Sequence, residues 1–84
     1  MITVLYFARL REGLGTGSEQ IALPQGVCDL DGVRALLIAR GGAWAQELAG
    51  NKALRAAVNQ AMASGDAPVA DGDEIAFFPP VTGG

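Results

Sequence analysis

Four apolar runs along the chain have the composition of β-strands. Each is rich in β-branched and aromatic residues or alternates apolar with polar positions, and turn-forming residues separate them. They lie at 2–8, 19–23, 54–60 and 75–78. Because side chains alternate along a strand, Phe77 and Phe78 point to opposite faces of the last one. If Phe77 belongs to the core, Phe78 therefore points away from it.

Helical spacing is clearest in the middle of the chain. Leu30, Val33 and Leu37 recur every three or four residues, which predicts one main amphipathic helix. Asp29 can cap its first turn, and the pattern ends at Arg40. Shorter helical segments are predicted at 9–12 and 43–48, and loops or turns at 64–68 and 71–74.

The order of these elements predicts the fold class. Strand, strand, helix, strand, strand is typical of an α+β protein of the β-grasp, or ubiquitin-like, type, in which one main helix packs on one face of a mixed sheet. The first and last strands are expected to pair in the middle of the sheet. On this prediction residues 1–78 form the β-grasp domain, and residues 79–84 form a flexible tail that leaves from a central strand.

Length and charge narrow the classes of function. The 84 residues are enough for one domain with a small core. No apolar run approaches the roughly 18 residues of a membrane span, so we expect a soluble, cytoplasmic protein. The net charge of −3 and the lack of a basic cluster along the sequence argue against nucleic acid and anionic membranes as partners. They favour a protein partner with basic residues around its entrance, and Arg40 and Lys52 are expected to be solvated.

Residue types that usually carry catalysis or bind metals are scarce. Histidine is absent, which excludes the usual zinc sites and Ser-His-Asp arrangements, and a single cysteine excludes an intramolecular disulfide. Cys28 lies beside acidic residues and is expected to be a half-buried structural thiol. The acidic stretch at 71–74 lacks the pattern of a calcium loop. We therefore expect no bound metal or cofactor and no active site within this chain alone.

The last eight residues change abruptly from a buried strand to a segment that cannot pack. Pro79 and Pro80 favour an extended backbone, and Gly83 and Gly84 have no Cβ, so they fit a channel too narrow for other residues. The reactive group at the tip is then the carboxylate of Gly84, which is ionised at neutral pH and a poor electrophile. Acyl chemistry there needs prior activation, usually by ATP-dependent adenylation. The alternative is an ordinary frayed end.

Several segments resemble the MoaD family, the small sulfur-carrier subunits of molybdopterin synthase. The likeness is carried mainly by Phe-Phe-Pro-Pro-Val-Thr-Gly-Gly at 77–84. The stretch at 6–12 is similar to the family's Phe-Phe-Ala-x-x-Arg-Glu, with tyrosine in place of the first phenylalanine. Ala-Ala-Val-Asn-Gln at 56–60 resembles a Val-Asn-Gln strand, and Asp-Gly-Asp-Glu at 71–74 recurs in ubiquitin-like sulfur carriers. The middle of the chain carries no such motif.

The resemblance implies a non-catalytic carrier that acts within a sulfurtransferase complex. Gly84 would be adenylated by a partner resembling ubiquitin-activating enzymes, which uses ATP, and a sulfur donor protein would convert it to a thiocarboxylate. The tail would then deliver sulfur to cyclic pyranopterin monophosphate on the large catalytic subunit, in a heterotetramer. Gly83 would let the tip of the tail thread into a tunnel of the partner. The tail residues that line this tunnel would be Pro79, Pro80, Val81 and Thr82.

A partner-binding surface is expected at the base of the tail. Alternation places Phe7 and Phe78 on the side of the sheet away from the helix, and Met62, just past the third strand, can extend the surface. The alternative is that Phe7 and Phe78 are ordinary core. Two other functions stay open: a sulfur carrier for thiamine thiazole synthesis, and a non-catalytic ubiquitin-like interaction module.

Overall fold

The computed structural model describes residues 1–49 and 53–80. In these ranges the chain forms five strands and three helices. In chain order they are β1 (Ile2–Tyr6), α1 (Arg9–Leu14), β2 (Ser18–Ile21), α2 (Leu30–Ile38), α3 (Gly42–Leu48), β3 (Arg55–Val58), β4 (Ala61–Ala63) and β5 (Glu74–Phe78). None of the helices in the described ranges is long and apolar enough to span a membrane.

β1 and β5 form the centre of one mixed sheet. Across the sheet the strands are ordered β2-β1-β5-β3-β4. β1 and β5 run parallel, with Val4 opposite Ile75 and Tyr6 opposite Phe77. The other neighbouring pairs are antiparallel. The predicted central pairing of the first and last strands is confirmed, and so is the α+β class with the main helix packed on one face.

Alternating burial along the two central strands shows which face of the sheet is covered. Ile2, Val4 and Tyr6 of β1 and Ile75 and Phe77 of β5 are at most 1% exposed. The residues between them are only partly buried. α2 packs on the covered face through Leu30, Val33 and Leu37. Full burial of an apolar side chain of this size contributes about 1.5–3 kcal/mol, so this layer supplies the main part of the stability.

The start of α2 is fixed by hydrogen bonds to its first turn. The Gly32 N–H donates to Oδ1 of Asp29 over 2.8 Å, which confirms the predicted cap. The Asp31 N–H donates to the carbonyl of Gly65 over 2.8 Å. Donors in a first turn have no partner inside the helix, so the loop before β5 holds this end of α2 in place. The helix ends at Ile38, two residues before the predicted end.

β3 and β4 form a hairpin that differs from the prediction. A single strand was expected over 54–60, but β3 ends at Val58 and the chain returns antiparallel as β4. Asn59 and Gln60 form the turn, with φ of 50° and 70°. Positive φ at both positions is the backbone of a two-residue type I′ turn, which usually contains glycine. Because glycine is absent here, the sequence looks like one continuous strand.

Asn59 also joins this hairpin to the start of β5. Its N–H donates to the Glu74 carbonyl over 2.8 Å, and its Oδ1 accepts from the Glu74 N–H over 3.0 Å. Its Nδ2 donates to Oδ1 of Asp73 over 3.1 Å. The Ala70 N–H donates to the other oxygen of Asp73, and these bonds lower the pKa of that carboxyl, the bond from Ala70 most. The segments 56–60 and 71–74, both singled out in the sequence, are thus in direct contact.

A polar cluster connects β1 and β2 with the ends of α2 and α3. The Tyr6 hydroxyl donates to Oε2 of Glu19 over 2.8 Å, and burial raises the pKa of that hydroxyl. Arg40 donates to both carboxylate oxygens of Glu19, over 2.9 and 2.8 Å. Its guanidinium lies 5.1 Å from the centre of the Trp44 ring. The expectation that Arg40 is merely solvated is therefore wrong, whereas Lys52 lies outside the described residues.

Candidate functional site

The tail leaves the domain from a strand that is held on both sides. β5 lies between β1 and β3, and at its end Phe78 is paired with Arg55 of β3. On the other side the Phe7 N–H donates to the Phe77 carbonyl over 3.2 Å. We call residues 77–80 the tail root, and these contacts hold its first two residues in the sheet.

Of the six predicted tail residues, two are among the residues that the structure describes. Pro79 and Pro80 are half-buried and follow β5 directly. Four further residues with predicted roles lie outside the described residues, namely Val81, Thr82, Gly83 and Gly84. Their roles in the tunnel and in sulfur transfer stay predictions.

The sheet face opposite the helices carries a row of apolar side chains. The strand register sets Leu5 beside Ala76, Ala76 beside Ala57, and Ala57 beside Met62, across β1, β5, β3 and β4. Paired residues on neighbouring strands share a face. By alternation, the phenylalanines two positions after Leu5 and Ala76 lie on the same side. We call this set the outer patch: Leu5, Phe7, Ala57, Met62, Ala76 and Phe78.

Exposure separates the outer patch from the core. Phe7 is 46% exposed and Met62 is 63% exposed. Phe78 is half-buried, whereas its neighbour Phe77 is 1% exposed. The alternative that Phe7 and Phe78 are ordinary core residues is therefore wrong. Apolar side chains grouped on an exposed face are typical of a surface that binds a partner.

Sequence reasoning found the large side chains of the outer patch and missed its centre. Ala57 and Ala76 are too small to stand out in a hydrophobic pattern, yet they form the flat floor between Met62 and Leu5. Met62 lies in the middle of β4 rather than just past the third strand. Alternation combined with recognition of the β3–β4 hairpin would have revealed the whole row.

A tight turn after β1 leaves Phe7 at the surface. The Leu10 N–H donates to the Phe7 carbonyl over 3.1 Å, and Ala8 between them has φ of 55° and ψ of −131°. These are the angles of the first central residue of a type II′ turn, which is usually glycine. An alanine held there is strained by roughly 1–3 kcal/mol. The turn directs the chain from the end of the sheet straight into α1, beside the tail root.

A groove lies on the helix side of the same sheet. It has a volume of about 470 Å³ and separates the first half of α2 from the β3–β4 hairpin. Leu54 and Phe77 contribute apolar surface, and Asp31, Arg34 and Arg55 contribute charge. The groove shares Met62 with the outer patch but opens on the other side of the sheet, so it is a separate feature.

Cys28 is exposed, which corrects the expectation of a half-buried thiol. It lies in the loop that leads into α2, where its carbonyl accepts from the Val69 N–H over 2.9 Å. The structure thus gives its backbone a part in anchoring the loop before β5, and brings its side chain to none of the predicted functional residues that are described.

Comparison with known proteins relates this fold and tail to a known family. The model of the ThiS family matches residues 4–84, a range that includes the outer patch, the tail root and the last four residues. The chain belongs to the ThiS family. It is 48% identical over 87 residues to the molybdopterin synthase sulfur carrier subunit of Escherichia coli (strain K12), and the alignment covers all of both chains.

Solved structures are similar to this ThiS-family chain along nearly its whole length. SAMP1 from Haloferax volcanii is 25% identical with a TM-score of 0.80, and the match covers 99% of this chain and 98% of that one. A chain from the complex of subunits 1 and 2 of the molybdopterin-converting factor of Helicobacter pylori 26695 is 26% identical, with a TM-score of 0.67. That match covers 99% of this chain and 97% of the other. The family inferred from sequence motifs and the ubiquitin-like β-grasp class are both confirmed.

Proposed function

We propose that this chain is the sulfur carrier subunit of a molybdopterin synthase. The observation that carries the proposal is the 48% identity, over the full length of both chains, to a protein of that name. The geometry supports it. A carrier needs a reactive tail with a fixed origin and a surface beside that origin for docking, and the tail root and the outer patch are adjacent on this fold.

The chemistry of the proposal takes place at the carboxylate of Gly84. An activating partner transfers AMP from ATP to this carboxylate and releases pyrophosphate, which makes the acyl carbon electrophilic. Sulfide from a donor protein then displaces AMP and leaves a thiocarboxylate. When the sulfur passes to the pterin precursor, cyclic pyranopterin monophosphate, water restores the carboxylate. ATP thus belongs to the activating partner, and this chain carries only the covalent sulfur.

The tail is long enough to reach an active site on another protein. An extended residue spans at most about 3.4 Å, so the six residues from Pro79 reach roughly 20 Å from the end of β5. Pro79, Pro80, Val81 and Thr82 would line the tunnel, and Gly83 would pass its narrowest part. This length lets the domain stay outside the partner while the tip reacts inside it.

The outer patch is the proposed docking surface for the large catalytic subunit and, in turn, for the activating enzyme. Phe7, Met62 and Phe78 are the proposed anchors, because large apolar side chains buried at the centre of an interface commonly contribute about 2 kcal/mol or more each. In the Helicobacter pylori structure a chain similar to this one is assembled with a second subunit. For this chain we propose a cytoplasmic heterotetramer with the large subunit, with two carrier turnovers for the two sulfurs of each pterin.

Intact-protein mass spectrometry tests the carrier function. The chain is incubated with ATP, the activating enzyme and a sulfide source, and the expected result is the exchange of one oxygen for sulfur at Gly84. Omitting ATP is the control and should leave the mass unchanged. A chain that binds its partners but never acquires sulfur would instead be an interaction module.

A second measurement identifies the pathway. The thiocarboxylate form is supplied either to the large synthase subunit with the pterin precursor or to a thiazole-forming system. Consumption of the thiocarboxylate with formation of molybdopterin supports the proposal. Consumption only in the thiazole system would assign the chain to thiamine synthesis.

A further inference from the structure

Three exposed arginines lie at the end of the sheet from which the tail leaves, with the Arg11 side chain beside Gly17. Arg9 and Arg11 lie on α1, which begins directly after the turn at Phe7, and Arg55 is the strand partner of Phe78. We call these three residues the basic rim. They come from two segments more than forty positions apart, so the sequence shows no basic cluster although the fold assembles one.

The side chains of the basic rim have no partner in the described part of the molecule. No hydrogen bond or ion pair joins Arg9, Arg11 or Arg55 to another residue of 1–49 or 53–80. The other described arginines are engaged within the fold. Arg34 donates to the carbonyls of Leu48 and Ala49, and Arg40 binds Glu19. The cations with structural roles are thus distinct from those at the tail root.

A group of three acidic residues lies at the opposite end of the sheet. β1 and β5 run parallel, so the start of β5 lies at the far end from the tail root. Asp71, Asp73 and Glu74 are located there. At the other end, Glu12 belongs to α1, the Glu47 side chain lies against Gly13, and Asp31 lines the same groove as Arg55. The net charge of −3 therefore arises in part from acidic residues that are remote from the end of the sheet where the tail emerges.

From this distribution we propose that the partner surface around the entrance for the tail is acidic, and that its carboxylates pair with Arg9, Arg11 and Arg55 as the outer patch docks. The proposal rests on the proposed function, since it concerns the large synthase subunit as the occupant of this surface. It replaces the expectation of a basic entrance, which followed from net charge alone. The basic rim borders the outer patch, so one partner can cover both.

The chemistry of arginine fits this assignment. Its planar guanidinium can donate two parallel hydrogen bonds to one carboxylate, which fixes orientation as well as attraction. Charges at the rim of an interface act mainly on the association rate and its salt dependence, whereas buried apolar anchors determine the dissociation rate. The basic rim would thus orient the tail toward the entrance before the outer patch makes contact.

The test compares association rates of variants with the large synthase subunit, measured by stopped-flow fluorescence at low and high salt. The double variant Arg9→Gln with Arg11→Gln should associate about 3- to 10-fold more slowly than the wild type at low ionic strength. The rates should converge near 0.5 M salt, because screening then acts over only about 4 Å. Arg55→Gln, which lies on β3 rather than on α1, should act in the same direction with a smaller effect.

The matched control carries the same change in net charge at another place. Gln20 and Gln25 are exposed, and Gln20 is paired with Thr3, which is at the far end of β1 from the tail root. Gln20→Glu with Gln25→Glu therefore lowers the net charge as much as the arginine pair does. This control should leave the association rate within about twofold of the wild type. Thermal melting of all variants checks that the fold is retained.

Two results would overturn the inference. If the arginine variants associate at the wild-type rate or faster, the entrance is neutral or basic. If the control slows association equally, only the net charge matters. Failure of the wild type to bind the large subunit at all would contradict the proposed function itself and remove the basis of the inference. Sulfur loading at saturating concentrations of the activating enzyme reports separately whether the chain is a carrier.

Discussion

Two adjacent phenylalanines at the end of β5 have opposite surroundings, and the contrast can be measured. Phe77 is 1% exposed in the core, whereas Phe78 belongs to the outer patch. We expect Phe77→Ala to lower the free energy of unfolding by about 3–5 kcal/mol, because it leaves a cavity. Phe78→Ala should cost less than about 1 kcal/mol of stability but weaken binding to the large subunit by about 2 kcal/mol.

Urea denaturation and calorimetric titration of the two variants separate these effects. The substitutions remove the same atoms from neighbouring positions, so each serves as the control for the other. Unfolding of the Phe78 variant before any loss of binding would mean that the two faces of the sheet are assigned the wrong way round.

The Glu19 carboxylate makes stability depend on pH. Its hydrogen bonds from Arg40, followed by that from Tyr6, lower the pKa of Glu19 in the folded state. The unfolded chain therefore binds more protons, and the stabilisation is present above the unfolded pKa of about 4.3 and lost as pH falls through the folded value. Glu19→Gln should lower the free energy of unfolding by about 0.5–1 kcal/mol at pH 7. The difference should be smaller at pH 3 than at pH 7, because the stabilisation is lost as pH falls toward and through the folded pKa.

Chemical denaturation of the wild type and the Glu19→Gln variant at the two pH values provides the measurement. Glutamine retains an acceptor for the Tyr6 hydroxyl, so the comparison isolates the ion pair with Arg40. A difference that is the same at both pH values would show that the charge of Glu19 does not stabilise the fold.

At the level of elements, the β3–β4 hairpin depends on Asn59 in two ways that substitutions can separate. Its side chain makes hydrogen bonds to the start of β5, and its φ of 50° is unfavourable for most residues. Asn59→Gly should lose the hydrogen bonds only, at a cost of about 1–2 kcal/mol in unfolding free energy. Asn59→Ala should cost about 1 kcal/mol more, because alanine is also strained at positive φ.

The free energies of unfolding of these two variants, obtained by urea denaturation, give the measurement. Equal values would mean that backbone strain at this turn is absent. Amide hydrogen exchange in β4 should also accelerate in both variants, because β4 is an edge strand paired only with β3 in the described sheet.

Periodicity in the sequence predicts the elements whose apolar faces are buried and misses those fixed by other contacts. Alternation located β1, β2 and β5, and the stripe of Leu30, Val33 and Leu37 located α2, because burial on one face leaves a regular pattern. β4 has three residues, and its Ala61 and Ala63 carry little hydrophobic signal. Its turn uses asparagine and glutamine at positive φ, so the usual glycine signal is absent as well.

At the scale of the whole molecule, the proposed function separates activity from folding at the tip of the tail. In the described chain the core cluster contains no residue beyond Phe77. Deleting Gly84, or adding one residue after it, should therefore abolish sulfur transfer and shift the melting temperature little. Gly83→Ala should slow activation or transfer more than it changes stability, since an added methyl group matters only where the tail is enclosed.

Mass spectrometry of thiocarboxylate formation and thermal melting of the same samples test both changes. The frayed-end interpretation predicts that neither variant differs from the wild type in either measurement. Full activity after extension beyond Gly84 would exclude the terminal carboxylate as the site of chemistry.

The sequence also shows which parts of a site can be found without a structure. The tail and the phenylalanines beside it were identified because their residue types are unusual for their position. The basic rim was missed because Arg55 comes to the same end of the sheet as Arg9 and Arg11 only through the pairing of β5 with both β1 and β3. Arg40 shows the converse, since its partner Glu19 lies 21 positions away and no local pattern connects them.

The position of β5 also determines how the domain responds to mechanical force. A pull on the tail acts along β5, parallel to β1 on one side and antiparallel to β3 on the other. The hydrogen bonds of both ladders lie across this direction, so they are loaded together in shear rather than opened one after another. An edge strand under the same pull would be held by one ladder instead of two. A partner can therefore grip the tail, and release or withdraw from it, without stripping the last strand out of the sheet.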